Sequence, residues 1–154
     1  MIEVVHVQEV QTTAAHAFDV MIRHNVENHP RWEKEVLEVR SLDGTEGVGH
    51  RSVMVRREGG RTRDVVNECL EYVADQRAAF CSSTPSMDFW IRFEYADTGP
   101  GRSTVTSTVR MSPKGPLRLL TPMLRLGGPR RSARISASAA RVIEETPVGR
   151  ADAA

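Results

Sequence analysis

Arginine side chains are the most concentrated candidates for chemistry in this sequence. Arg56, Arg57, Arg61 and Arg63 flank a Glu-Gly-Gly turn at positions 58–60. Because strand side chains alternate between faces, one or two of these arginines can point into the fold, where a guanidinium could bind a carboxylate or an enolate. The alternative is a solvated turn, the ordinary setting for exposed arginines.

Carboxylates follow on the next predicted strand. Alternation places Asp64 and Glu68 on one face and Glu71 on the other. Paired carboxylates can perform acid and base chemistry, but pairing with arginines across the sheet is the commoner outcome. The sequence therefore offers charged groups without a compact catalytic constellation.

Metal and cofactor motifs are missing from the sequence. The histidines do not stand in HxH, HxxxH or HExxH spacing, and Cys69 and Cys81 do not form a CxxC motif. We find no phosphate loop, no nucleophile elbow and no glycine-rich dinucleotide motif. We therefore expect no metal and no cofactor.

Composition is typical of a globular protein. The chain has 154 residues, 40% hydrophobic and 27% charged, with a formal net charge of +1, which favours no general binding to nucleic acid. The acidic, alternating N-terminus does not resemble a signal peptide, and no apolar run is long enough to span a bilayer. We expect a cytoplasmic monomer or homodimer without membrane insertion, folded as one domain over residues 1–146 with a disordered tail at 147–154.

Period-two alternation and turn residues predict seven strands. The first, Met1–Val10, precedes a helix that begins at Ala14 after a cap at Thr12 or Thr13, and then a short helical segment, Asn25–Trp32, broken at Pro30. Connections of hairpin length make the sheet antiparallel. The other strands are predicted at 36–42, 50–57, 61–73, 78–83, 87–95 and 102–111.

The stretch from Pro116 to Glu145 predicts a helix, because apolar residues recur there at three- and four-residue spacing, with arginines between them. Gly127, Gly128 and Pro129 predict a kink or a full break that separates the halves 117–126 and 130–145. A helix after Pro122 starts best near Thr121. The break would be either a passive bend or the hinge of a lid.

A family resemblance rests on scattered residues along nearly the whole chain. They are Ala17-Phe18-Asp19, Asn25, His29-Pro30-Arg31-Trp32, Gly47-Val48-Gly49, Glu68, Glu71-Tyr72, Phe93-Glu94, Gly115, Leu117 and Pro122. This pattern resembles the helix-grip fold of the START and birch-pollen-allergen superfamily (SRPBCC), most closely its polyketide cyclase/dehydrase branch. The resemblance implies an α+β fold in which a seven-stranded antiparallel curved sheet wraps around a long C-terminal helix, with two short helices after strand 1.

The resemblance also implies an apolar cavity between sheet and helix, of the size that holds small molecules. We predict that residues on the short helices, the middle strands and the front of the last helix line it, with His50 or Arg56 as a polar anchor. Trp32 would stack on a planar ligand, or alternatively cap the core. The predicted ligand-binding residues are Trp32, His50, Met54, Arg56, Phe80, Phe93, Met123 and Leu124.

Three functional hypotheses follow. The first is binding, transport or sequestration of a hydrophobic or aromatic small molecule, which the lack of a catalytic constellation favours. The second is a polyketide cyclase/aromatase-like enzyme that folds a poly-β-ketone and promotes its cyclisation or dehydration. The third is a module that binds a protein partner through the arginines of the last helix.

Overall fold

An antiparallel sheet of seven strands forms the body of the structure, a computed structural model that describes residues 1–148. The strand order is β1-β7-β6-β5-β4-β3-β2, so β1 and β2 are the edges. Strands β2 to β7 pair in the order of the sequence, and β1 pairs with β7. This confirms the predicted architecture. The strands are β1 Ile2–Val10, β2 Val36–Asp43, β3 Arg51–Glu58, β4 Arg61–Val73, β5 Arg77–Ser83, β6 Met87–Gly99 and β7 Arg102–Pro113.

Short helices fill the connection between β1 and β2. Helix α1, Ala14–Phe18, is capped by the Thr13 hydroxyl, which accepts a hydrogen bond from the His16 amide at 3.2 Å. A π-helical turn, Asp19–Arg23, leads into α2, Asn25–Trp32. The predicted break at Pro30 is wrong, because α2 continues through that residue and ends at Trp32, whose indole is anchored in the core.

The long C-terminal helix α3 spans Thr121–Glu145 without interruption and follows a 3₁₀ turn, Gly115–Leu120. The predicted full break at 127–129 is therefore wrong, whereas Pro122 does occupy the first turn. A Cβ added to Gly128 would lie 3.1 Å from a methyl group of Val4. The glycine therefore allows α3 to approach the β1 edge closely, and this packing offsets the poor helix propensity of the segment.

Packing is dense at one end of the sheet. The main core joins α1, α2 and the second half of α3 to the sheet. Its fully buried members include Phe18, Val20 and Ile143. A separate small cluster, Val36, Val39, Met54 and Val65, fills the other end, beside the β2 edge. The middle of the inner face lies between these two clusters.

Within residues 1–148, no helix combines the length and the apolarity that crossing a bilayer requires. Of the predicted disordered tail, residues 149–154 lie outside the described part of the chain.

Candidate functional site

A cavity of about 430 Å³ opens between the loops at one end of the sheet and the start of the C-terminal helical segment. We call it the mouth cavity. The β3–β4 hairpin, the β5–β6 connection and the helical segment each contribute walls. Its lining residues are Glu35, Arg57, Glu58, Gly59, Thr84, Ser86, Met87, Phe89, Leu117 and Arg131.

Half-buried side chains on the inner face of the central strands continue inward from the mouth cavity. Phe89 pairs with Ser82 across β5 and β6, and Ile91 pairs with Phe80. All four are only half-buried, although they lie on the concave side of the sheet in its middle strands. This surface, which we call the inner groove, is incompletely covered because α3 packs chiefly against the β1 edge.

A second, much smaller cavity of about 20 Å³ lies under α3 near Phe93. Its walls include Gln8 from β1, Ser107 from β7 and Ser136 from α3. The Ser107 hydroxyl is buried and has no hydrogen-bond partner among residues 1–148. A cavity of this size accommodates one water molecule, so it could also accept a small polar group of a ligand.

A buried ion pair stands beside the mouth cavity. An Arg56 guanidinium nitrogen donates to the Glu33 carboxylate at 3.0 Å, and His29 Nε2 lies 3.0 Å from the other oxygen of that carboxylate. Arg56 also donates to Glu58, a cavity-lining residue, at 3.2 Å. We call His29, Glu33, Arg56 and Glu58 the Glu33 cluster.

Electrostatics keep Glu33 and Arg56 charged. Burial alone would raise the pKa of Glu33, but the hydrogen bond from His29 and the charge of Arg56 outweigh it and lower that pKa to about 2. Burial opposes the charge of Arg56, yet Glu33 and Glu58 raise the pKa of its guanidinium above the usual value. Glu33 is therefore a weak base at neutral pH. The Glu33–Arg56 ion pair can stay charged beside the cavity, but it is poorly suited to transfer protons.

Arg131 places a further guanidinium at the mouth cavity. It projects from α3, lines the cavity, and comes within 3.9 Å of the Glu33 carboxylate, while half of its side chain stays exposed. An exposed arginine at a cavity edge can bind a carboxylate or an enolate oxygen of a ligand.

The predicted ligand-binding residues are spread over several places, and their role in binding stays a prediction. Phe93 lines the small cavity, Phe80 lies in the inner groove, and Met54 belongs to the cluster beside β2. Trp32 is buried in the main core with its indole stacked on the His29 ring, 5.0 Å between centroids. Arg56 belongs to the Glu33 cluster.

The other three predicted ligand-binding residues, His50, Met123 and Leu124, lie outside these cavities and clusters. His50 directly precedes β3, and its Nε2 is 2.8 Å from the hydroxyl of Ser41 in β2, whereas Leu124 is half-buried on α3. Met123, expected to face the sheet, is instead 68% exposed. The reason is the rotation of α3, since Gly128 faces the sheet and Met123 lies on a different side of the helix.

Sequence reasoning missed Glu33, Arg131 and Leu117 as residues of the site. The i, i+4 spacing of His29 and Glu33 was a usable signal, because it places the imidazole beside the carboxylate at a helix end. No sequence signal joins Glu33 to Arg56, since that contact depends on where α2 ends relative to β3.

Another carboxylate and the two thiols among the sequence candidates are unsuited to catalysis. Glu71 contacts Arg77 and Arg92, which confirms pairing with arginine for this carboxylate. Burial raises the pKa of the Cys69 and Cys81 thiols, so both are poor nucleophiles at neutral pH. Within residues 1–148, no three His, Cys, Asp or Glu side chains cluster as metal ligands.

Comparison with known proteins identifies the family. Residues 1–144 match the sequence family described as polyketide cyclase / dehydrase and lipid transport. The chain belongs to this family. A comparison with curated protein sequences gives no match.

Solved structures share the fold at low sequence identity. The Zhui aromatase/cyclase from Streptomyces sp. R1128 has a TM-score of 0.77 at 12% identity, covering 92% of this chain and 93% of that one. A START superfamily protein from Mycobacterium smegmatis has a TM-score of 0.75 at 14% identity, covering 93% and 97%. Norcoclaurine synthase from Thalictrum flavum, in complex with dopamine and hydroxybenzaldehyde, has a TM-score of 0.67 at 14% identity, covering 94% and 88%. These likenesses establish the helix-grip fold.

Proposed function

We propose that this protein binds a hydrophobic or aromatic small molecule in the mouth cavity and along the inner groove. The observation that carries the proposal is the cavity of about 430 Å³ that continues into half-buried Phe89, Ile91 and Phe80. Such a volume suits a small organic ligand. Burial of its apolar surface supplies the driving force, at about 25 cal/mol per Å² before the costs of binding.

Orientation of the ligand comes from the charged rim. Arg131 can contact a carboxylate, phenolate or carbonyl oxygen of the ligand, while Glu33 and Arg56 neutralise each other behind it. A molecule with an apolar body and one polar or anionic end therefore fits the space better than a purely hydrocarbon molecule.

Paired variants of adjacent residues on β6 test the proposal. Phe89 lines the mouth cavity, whereas Trp90 has the opposite strand parity and packs against the Arg110 guanidinium at 4.4 Å. With the uncharged fluorescent probe N-phenyl-1-naphthylamine, we expect Phe89→Ala to weaken binding by about tenfold or more, the loss of one large apolar contact. Trp90→Ala should bind as the parent does. Equal affinity of all three folded proteins would overturn the proposal.

Trp32 stays a proposed contact of the ligand. Its indole stacks on His29, so a ligand near the Glu33 cluster would change its environment directly or through that ring. In a Trp90→Phe background Trp32 is the sole tryptophan, because the chain contains two. We expect its emission to shift when ligand binds; unchanged emission under saturating ligand would remove Trp32 from the site.

Cyclisation or dehydration of a poly-β-ketone is the second candidate function. It is favoured by the Arg131 guanidinium at the cavity wall, which could stabilise an enolate, and by the family to which the chain belongs. The low pKa of Glu33 speaks against that residue as the base. Incubation with a labelled poly-β-ketone separates the two candidates, because a binding protein yields no more cyclised product than buffer does.

A further inference from the structure

An exposed apolar strip runs along the outer side of the C-terminal helical segment. Leu119, Met123 and Leu126 are 84%, 68% and 79% exposed. Met123 and Leu126, three residues apart, share one side of α3, and Leu119 lies in the 3₁₀ turn just before that helix. Gly128 contacts Val4 on the sheet side, so the strip faces away from the sheet. Large apolar side chains grouped in this way mark an interaction surface rather than scattered surface residues.

Positive charge surrounds the strip. Residues 114–143 contain seven basic side chains and no Asp or Glu, although the formal net charge of the whole chain is only +1. The exposed guanidiniums of Arg118, Arg125 and Arg130 have no carboxylate within 4.0 Å among the described residues. The basic side chains are Lys114, Arg118, Arg125, Arg130, Arg131, Arg134 and Arg141.

We propose that this strip and its arginines dock onto the surface of an anionic lipid membrane. An interfacial helix of this kind places apolar side chains at the boundary of the acyl chains and arginines among the lipid phosphates. A second copy of the chain is a poor occupant, because a symmetric contact would bring the unpaired arginines of both copies together. The proposal goes beyond small-molecule binding and does not depend on it.

The exposed apolar strip lies close in sequence to residues that line the mouth cavity. Leu117 and Arg131 lie on the same helical segment, one on each side of the strip in sequence, and both line that cavity. A membrane that covers the strip therefore lies next to the cavity opening.

Vesicle co-sedimentation of the full chain tests the proposal without any ligand. We expect binding to vesicles of phosphatidylcholine with about 30% phosphatidylglycerol, little binding to phosphatidylcholine alone, and release at about 0.5 M NaCl, where charges are screened. Replacing Leu119, Met123 and Leu126 together with Gln, or making the double change Arg125→Glu and Arg130→Glu, should lower the affinity at least about tenfold. These side chains are exposed, so both variants should fold.

Two control variants make the result specific to the strip. Val5→Gln with Val7→Gln removes exposed apolar side chains from the outer face of β1. Arg40→Glu with Arg102→Glu changes the net charge as much as the helix double variant does. Both controls should bind as the parent does. Failure of the parent to bind anionic vesicles, losses as large in the controls, or binding to poly-L-glutamate in place of vesicles would each overturn the proposal, the last by indicating an acidic polypeptide partner.

Discussion

The Arg56 guanidinium lies 3.0 Å from the Glu33 carboxylate, and both side chains are about nine-tenths buried, at 11% and 9% exposed. This contact ties the residue that follows α2 to the middle of β3, next to the mouth cavity. A buried pair of this kind contributes little net stability compared with apolar packing, but each partner depends strongly on the other. It therefore fixes the geometry of the cavity rim.

Glu33→Gln should lower the free energy of unfolding by about 3 kcal/mol, because Arg56 would keep its charge in a buried site with Glu58 as its remaining partner. Urea unfolding with an unchanged m-value measures the loss. The matched control is Glu38→Gln, which removes an exposed carboxylate that pairs with Arg40 at 3.3 Å and should cost under about 1 kcal/mol. Equal losses of unfolding free energy in the two variants would show that the buried Glu33–Arg56 pair contributes no more than an exposed ion pair.

The pH dependence of stability should report the same carboxylate. The pKa of Glu33 is lowered from 4.5 to about 2 in the folded state, so the unfolded chain takes up the proton first as the pH falls. The stabilisation is complete above pH 4.5 and is lost progressively between pH 4.5 and 2. The difference in unfolding free energy between parent and Glu33→Gln should shrink over this window. A difference that stays constant across it would contradict the lowered pKa.

The neighbouring glycines of α3 should respond oppositely to alanine. Nothing lies within 4 Å of a Cβ added at Gly127, so Gly127→Ala should stabilise the protein by about 1 kcal/mol through helix propensity. At Gly128 the added Cβ would lie 3.1 Å from the stiff, β-branched Val4 and 3.6 Å from Met111. Gly128→Ala should therefore leave the stability of the protein unchanged or lower it. Thermal unfolding compares them, and equal stabilisation would mean that α3 is not held tightly against β1.

Hinge behaviour at residues 127–129 stays a prediction even though α3 is continuous. If the segment bends during ligand exchange, replacing all three residues with Ala should slow probe release in stopped-flow measurements. The Gly128→Ala variant alone serves as the control, because it contains the same close contact with Val4 but keeps Gly127 and Pro129. An unchanged release rate in the folded triple variant would leave Pro129 a passive feature of the helix.

Strand positions could be predicted from the sequence because alternation and turn residues agree there. The strand Arg61–Val73 has the predicted bounds, and the helix starting at Ala14 has one of the two predicted caps. Strand β6 runs on to Gly99, beyond the predicted Tyr95, because Ala96 and Asp97 still pair with β7. That extension depends on a partner strand, which local sequence patterns do not contain.

Details of the site depended on relations that no single segment encodes. The face that α3 turns toward the sheet is set by the Gly128–Val4 contact, and for this reason the predicted orientation of Met123 was wrong. The Glu33–Arg56 pair joins residues that are distant in sequence and meet only after β2 and β3 pair. By contrast, Phe89 and Phe93 share one face of β6 through strand alternation alone, and both line cavities.

Native mass spectrometry of the protein as purified tests the central proposal, that a small apolar molecule occupies the mouth cavity and inner groove. Ser82 lies on the inner face opposite Phe89, whereas the adjacent Ser83 is exposed. We expect the parent and Ser83→Phe to carry a small organic molecule, either co-purified or added as N-phenyl-1-naphthylamine, and Ser82→Phe to have lost it because the new ring fills the groove. A bound molecule retained equally by folded Ser82→Phe, or a parent that binds none even when the probe is added, would contradict the account.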